Sequence, residues 1–153
     1  MNESEVTSDL IFLGNKVSMF NLATYDVERS KQAANVSFDF DYRVKRAQQH
    51  ENTYFGIIEF QVKVNATLEE QALFTIDLVM EGAFKSETLN EDEFKKRLIV
   101  NGLIVLSHIS QAYIQSVTAQ SGINPPVRVP MLNVKKLIEQ KAQSKGEGDT
   151  PLQ

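Results

Sequence analysis

The chain has 153 residues, no cysteine and a formal net charge of −4; that is room for one domain with its own core and little more. The missing cysteines exclude a disulfide framework and thiolate metal sites, and the acidic balance gives no electrostatic reason to expect nucleic acid as a partner. No run approaches the roughly 18 apolar residues of a membrane span, and Met1 to Asp9, with Glu3, Glu5 and Asp9, lacks the positive start of a signal peptide, so the expectation is a cytoplasmic protein without membrane insertion.

In chain order, residues 1–9 are polar and predict a disordered N-terminus, with a single domain over 10–143. Residues 10–22 (LIFLGNKVSMFNL) are apolar without a clean period, which predicts an irregular or bulged first strand. A long polar connection follows from Thr24 to Asn35. Three segments then alternate with the strand period. Val36, Phe38, Phe40, Tyr42 and Val44 share one face of the first, and Ile58, Phe60, Val62 and Val64 one face of the second. Ala72, Phe74, Ile76, Leu78 and Met80 share a face of the third. The short polar links Gln48 to Thr53 and Thr67 to Gln71 suit antiparallel hairpins.

The pattern then changes to helix. Asn90 with Glu93 three residues on has the form of a capping box, and Glu91, Asp92 and Glu93 suit the first turn. The helix predicted from there runs to about Ser121, with Gly122 as its stop. At about 1.5 Å per residue it is roughly 45 Å long. Leu98, Ile99, Val100, Leu103, Ile104, Val105, Leu106 and Ile109 leave little of its first half for a solvated face. A helix that is apolar around its circumference needs cover on several sides, so the expectation is an oligomer whose interface uses Leu98, Leu103, Val105, Leu106, Ile109 and Tyr113; the bland alternative is a leucine-rich core helix. Asn124-Pro125-Pro126-Val127-Arg128-Val129-Pro130 predicts a stiff extended linker. Asn133 then caps a short helix carrying Val134, Leu137 and Ile138, before a disordered tail over 144–153. The fold class is therefore α+β: a four-stranded antiparallel sheet, a long helix and a short C-terminal helix.

The sequence offers no enzyme chemistry above background. His50 and His108 have no second ligand at metal spacing, and Ser107 and His108, adjacent on a helix, point about 100° apart. No phosphate-binding glycine loop or nucleophile elbow is present. Glu69-Glu70 and Glu91-Asp92-Glu93 fall at a turn and a helix start, where solvation and the helix dipole account for them. No cofactor is expected.

From Ile109 through Gly122, Pro125-Pro126, Pro130, Leu132-Asn133-Val134 and Leu137, the chain resembles the C-terminal half of the SecB export chaperones. The turn Asn65-Ala66-Thr67-Leu68-Glu69-Glu70, the segment Glu81-Gly82-Ala83-Phe84 and the tail Gly146-Glu147-Gly148-Asp149 also look like family positions, so the resemblance covers roughly 10–148. It implies a homotetramer, a dimer of dimers, that holds unfolded polypeptides or preproteins without ATP and passes them to SecA. Carried over by position, Phe74 matches a client-lining aromatic and Asp77 an acidic docking position on the opposite sheet face. Two further acidic docking positions are occupied by Lys16 and Phe20, and the long helix reads Ser107-His108-Ile109-Ser110-Gln111-Ala112 where the family has a proline-aromatic-arginine stretch. These departures put SecA docking in doubt and leave open a dedicated chaperone of an antitoxin. The adaptable apolar side chains expected to grip clients are Phe74, Met80, Phe84, Phe94, Met131 and Leu132, each of which also reads as plain core. A competing reading, an acyl-binding protein or enzyme of hotdog type, fits poorly because the long helix follows the strands.

Overall fold

A computed structural model describes residues 8–27 and 33–148. The expected disorder of 1–7 and 149–153 lies outside the described residues, as does the middle of the Thr24–Asn35 connection. Four strands, β1 (Ile11–Thr24), β2 (Asn35–His50), β3 (Thr53–Leu68) and β4 (Gln71–Ser86), precede α1 (Glu91–Gln120) and α2 (Val134–Gly148). The sheet is antiparallel throughout, in the order β1-β4-β3-β2. The helix α2 therefore runs on through 144–148, part of the stretch expected to be tail.

The strand patterns are one-sided. Ile58, Phe60, Val62 and Val64 of β3 and Phe74, Ile76, Leu78, Met80 and Phe84 of β4 are all buried on the face that carries α1. The intervening residues face outward, as a period of two requires. The irregularity of β1 is real: the register with β4 slips between Phe12 and Gly14 and again between Val17 and Met19. Each slip re-aims the side chains that follow. The turn joining β3 to β4 is two residues long, and both Glu69 (φ 51°) and Glu70 (φ 69°) are left-handed there. That is the geometry of a type I′ hairpin, built without the glycine or asparagine it prefers.

Asn90 caps α1 by accepting a hydrogen bond from the Glu93 amide at 2.9 Å. Gly122, at φ +81°, turns the chain beyond it. The helix is long and apolar enough, by length and composition alone, to cross a membrane. Here it lies on the sheet as core helices do, and it comes unusually close. A Cβ added to Gly56 would sit 2.5 Å from a Leu98 methyl, and one added to Gly82 would sit 2.9 Å from a Leu106 methyl. Gly102 offers the same clearance from the helix side, toward Ile58 and Phe84. Three missing side chains thus let two leucines reach the sheet.

This packing corrects part of the expected oligomer surface. Leu98, Leu103 and Leu106 are wholly buried inside the subunit, against their own sheet. Val105, Ile109 and Tyr113 are half-buried along the flank, with Tyr113 edge-on to Phe20 of β1 at 5.2 Å. The apolar side chains left facing outward on α1 are Val100 and Ile104, one turn apart. A second exposed apolar group, Ile11, Phe12, Leu13 and Val17, lies on edge strand β1.

Candidate functional site

At the end of the sheet where β2 and β4 begin, the helix-facing layer opens into an apolar groove of about 760 Å³. That volume falls in the range of ligand pockets, about 300–1,000 Å³. Val36 and Phe38 of β2 with Leu73 and Phe74 of β4 form the sheet side. Ile123, Pro125, Pro126 and Val127 of the α1–α2 linker form the wall opposite, and Tyr25, Asp26 and Arg128 stand at the rim. Tyr25 is held there by its amide, which donates to the Leu73 carbonyl at 3.0 Å and extends the β1–β4 ladder. Another hollow, about 620 Å³, is bordered in part by Asp41, Arg43, Glu59 and Lys141, whose charges already pair with one another.

The linker keeps its shape through α1. The Thr118 hydroxyl donates to the Ile114 carbonyl at 2.7 Å and accepts from the Val127 amide at 3.0 Å. The Gln111 side-chain amide donates to the Pro130 carbonyl at 3.1 Å. Farther on, Lys141 of α2 pairs with Asp41 at 2.8 Å, donates to the Tyr42 carbonyl and lies over the Tyr42 ring. Burial, with help from the Asp41 carboxylate, raises the pKa of the Tyr42 phenol. Edge strand β2 is thus covered by α2 at its middle.

The outward sheet face carries charge that is mostly neutralised. Glu81, buried on this face, pairs with Lys45 at 2.6 Å and Lys16 at 3.5 Å. Lys45 reaches it because the β2 register slips there and adds a residue. Its hydrogen bond holds the Glu81 carboxyl below its ordinary pKa, against the opposing effect of burial. Glu59 stands opposite Glu81 in the ladder and is taken up by Arg43 at 3.0 Å. Asp77, the expected docking acid, does lie on this face, half-buried and accepting a hydrogen bond from Gln61 at 3.1 Å.

Of the residues expected to grip clients, Phe74 reaches the groove, though only 5% exposed. Met80, Phe84 and Phe94 do not line an accessible surface of the subunit: all are buried between sheet and helix, where Phe84 packs on Phe12 and Phe94 on Tyr54. Even-numbered β4 residues face α1, and α1 covers them. Met131 is 86% exposed and Leu132 half-buried, both on the linker just past the groove. The alternation alone did not single out Phe38 or Leu73. The apolar positions on either side of the Pro125-Pro126 pair, Ile123 and Val127, were the available sign of a groove wall. His50 and His108 are both exposed, and among the described residues no group of acidic or histidine side chains is placed to hold a metal.

The family model for SecB, preprotein translocase subunit SecB, matches residues 12–145. The chain belongs to the SecB family. SecB proteins are chaperones and not enzymes, and this SecB-family chain has a chaperone role. Its fold is shared with a SecB-like chaperone of Mycobacterium tuberculosis, solved in complex with a ChAD peptide from the HigA1 antitoxin: TM-score 0.67 at 13% identity, covering 81% of this chain and 91% of that one. A Streptococcus agalactiae protein of unknown function is also similar, with TM-score 0.51 at 15% identity over 80% of this chain and 97% of that one. No curated protein matches by sequence.

Proposed function

We propose that this SecB-family chain holds non-native polypeptide, in extended form, along the groove between the β2–β4 end of the sheet and the proline-rich linker. The observation that carries the reading is the apolar groove itself, with Val36, Phe38, Leu73 and Phe74 facing Ile123, Pro126 and Val127. Burying one client leucine or phenylalanine contributes about 1.5–3 kcal/mol before ordering costs. Two or three such anchors give reversible holding that needs no nucleotide. Folded proteins, whose anchors are already buried, are ignored. Met131 and Leu132 extend the same apolar track, and Met131 is free to adapt to different clients.

Self-association supplies avidity. Val100 and Ile104 on α1, and Ile11, Phe12, Leu13 and Val17 on β1, are exposed apolar surface suited to contact with further copies in a homotetramer. Several grooves acting on one client raise apparent affinity about 10²–10⁴-fold. The working compartment is the cytoplasm, and the partners are unfolded preproteins.

A second reading, a chaperone dedicated to one partner such as an antitoxin, is favoured by the outward sheet face. An export chaperone that hands clients to SecA through acidic groups needs them free. Here Lys16 stands where the family has an acid, Glu81 is taken by two lysines, and Asp77 is engaged by Gln61. The discriminating experiment dilutes a denatured preprotein into the purified chaperone and follows light scattering, with a Val36→Ser/Ile123→Ser variant alongside. Suppression by wild type at stoichiometric tetramer, weakened about tenfold in the variant, supports holding in this groove. No suppression by wild type overturns general holding. Capture of a single small partner, with unfolded chains left untouched, supports the dedicated role.

A further inference from the structure

Resting on that reading, we infer that Thr118 is a positioning residue for the client: it fixes the linker wall of the groove at the distance from the sheet that lets a side chain be gripped from both sides. Residues 121–133 carry no helix or strand, and two prolines in succession remove backbone donors. Besides the packing of Val127 on the core, the polar ties at the groove end of the stretch converge on one wholly buried residue. The Thr118 carbonyl accepts from the Ser121 amide at 3.2 Å and the Ile123 amide at 3.1 Å, while its hydroxyl accepts from the Val127 amide at 3.0 Å. Both ends of the loop Ile123–Val127 are therefore tied to the same residue, and the groove wall lies between the ties.

The hydroxyl has to be a donor and an acceptor at once. It gives its proton to the Ile114 carbonyl at 2.7 Å, which turns a lone pair toward the Val127 amide. Valine has the same shape and neither capacity, so Thr118→Val buries the Val127 N–H without a partner.

A second pin fits the first. Gln111 holds the Pro130 carbonyl, and Gln111 and Thr118 are two turns apart on α1, about 10.5 Å along the axis. From Val127 to Pro130 an extended proline-type chain rises about 9.3 Å. The two repeats nearly match, so the linker can run straight down the helix between its pins without slack. A client pressed against Ile123, Pro126 and Val127 meets a wall backed by a 30-residue helix.

The test follows the exchange of the Val127 amide by NMR and the release of a fluorescent, reduced and carboxymethylated lactalbumin. Wild type, Thr118→Val and Thr118→Ser are compared. The expected result is Val127 exchange about five- to tenfold faster in T118V and probe release about fivefold faster, with T118S restoring both, since serine keeps the hydroxyl. An unchanged Val127 exchange rate in T118V overturns the pin. Faster exchange with wild-type release overturns the positioning role alone. Wild type that binds no probe overturns the chaperone reading and this role with it. If T118V does not fold, Thr118→Ala removes the same acceptor with less crowding, and Val127 exchange and probe release are read on it with the same two outcomes.

Discussion

The close approach of α1 to the sheet makes Gly56→Ala an informative substitution. The new methyl would lie 2.5 Å and 3.1 Å from the two Leu98 methyls and 3.1 Å from the Phe94 ring. Leu98 and Phe94 are both wholly buried, so neither can swing into solvent. Overpacking of this kind costs about 1–3 kcal/mol. The narrower unfolded ensemble of alanine offsets about 0.4–1 kcal/mol. The net expectation is a loss of about 1–2 kcal/mol, or about 3–6 °C in Tm for a domain of this size. Leu98→Ala alone should cost about 2–5 kcal/mol through the cavity it leaves. Combined, the two changes should cost about 1–2 kcal/mol less than their sum, because the methyl added at position 56 then occupies space that Leu98 vacates. Urea midpoints at fixed protein concentration, so that any assembly contributes equally, provide the four corners of the cycle. A Gly56→Ala chain as stable as wild type, or strictly additive losses, would refute the claim that bare glycine positions set the distance between helix and sheet.

Replacing Glu69-Glu70 by Asn-Gly should raise stability by about 1 kcal/mol, seen as a higher urea midpoint at unchanged slope, because both positions are left-handed. Glu81→Gln should cost about 1 kcal/mol at pH 7. Since the native carboxyl sits below its ordinary pKa, its contribution is complete above the usual glutamate range, about 4.3, and disappears as pH falls through the lower native value. Wild type should therefore lose its advantage over the variant on acidification, and parallel pH–stability curves would contradict this. Val100→Glu/Ile104→Glu should lower the sedimenting mass while leaving the helical circular dichroism intact, because both side chains face outward. Leu98→Glu should unfold the chain instead.

Much of the fold was legible because its signals are local. Asn90, Gly122 and Asn133 mark helix ends by their own chemistry, and the caps at Asn90 and Asn133 form as that chemistry requires, Asn133 accepting from the Lys136 amide at 3.0 Å. The alternation in β3 and β4 reads directly as one covered face. What covers that face is not local. Leu98 and Leu106 looked surplus to one sheet because the glycines that admit them, Gly56 and Gly82, lie far away in sequence. Of the residues expected to grip clients, Phe74 lines the groove, and Met131 and Leu132 lie just past it on the linker. Met80, Phe84 and Phe94 have the right chemistry for client contact but lie where α1 covers the sheet, buried between the two layers. The groove wall was half visible as a proline-rich spacer, but the tie from Thr118 to Val127 depends on the chain doubling back along its own helix.

The strand order has a consequence for how the protein is made. Hairpins β2–β3 and β3–β4 close across short turns as soon as their strands emerge, but β1 pairs only with β4. Roughly sixty residues separate the end of β1 from the end of its partner, which at about 5–20 residues per second is about 3–12 s of translation. Throughout that interval Ile11, Phe12 and Leu13 have no ladder to join. A photo-crosslinker placed at Leu13 in ribosome-stalled chains should report other proteins until β4 has emerged and Phe84 has come alongside Phe12.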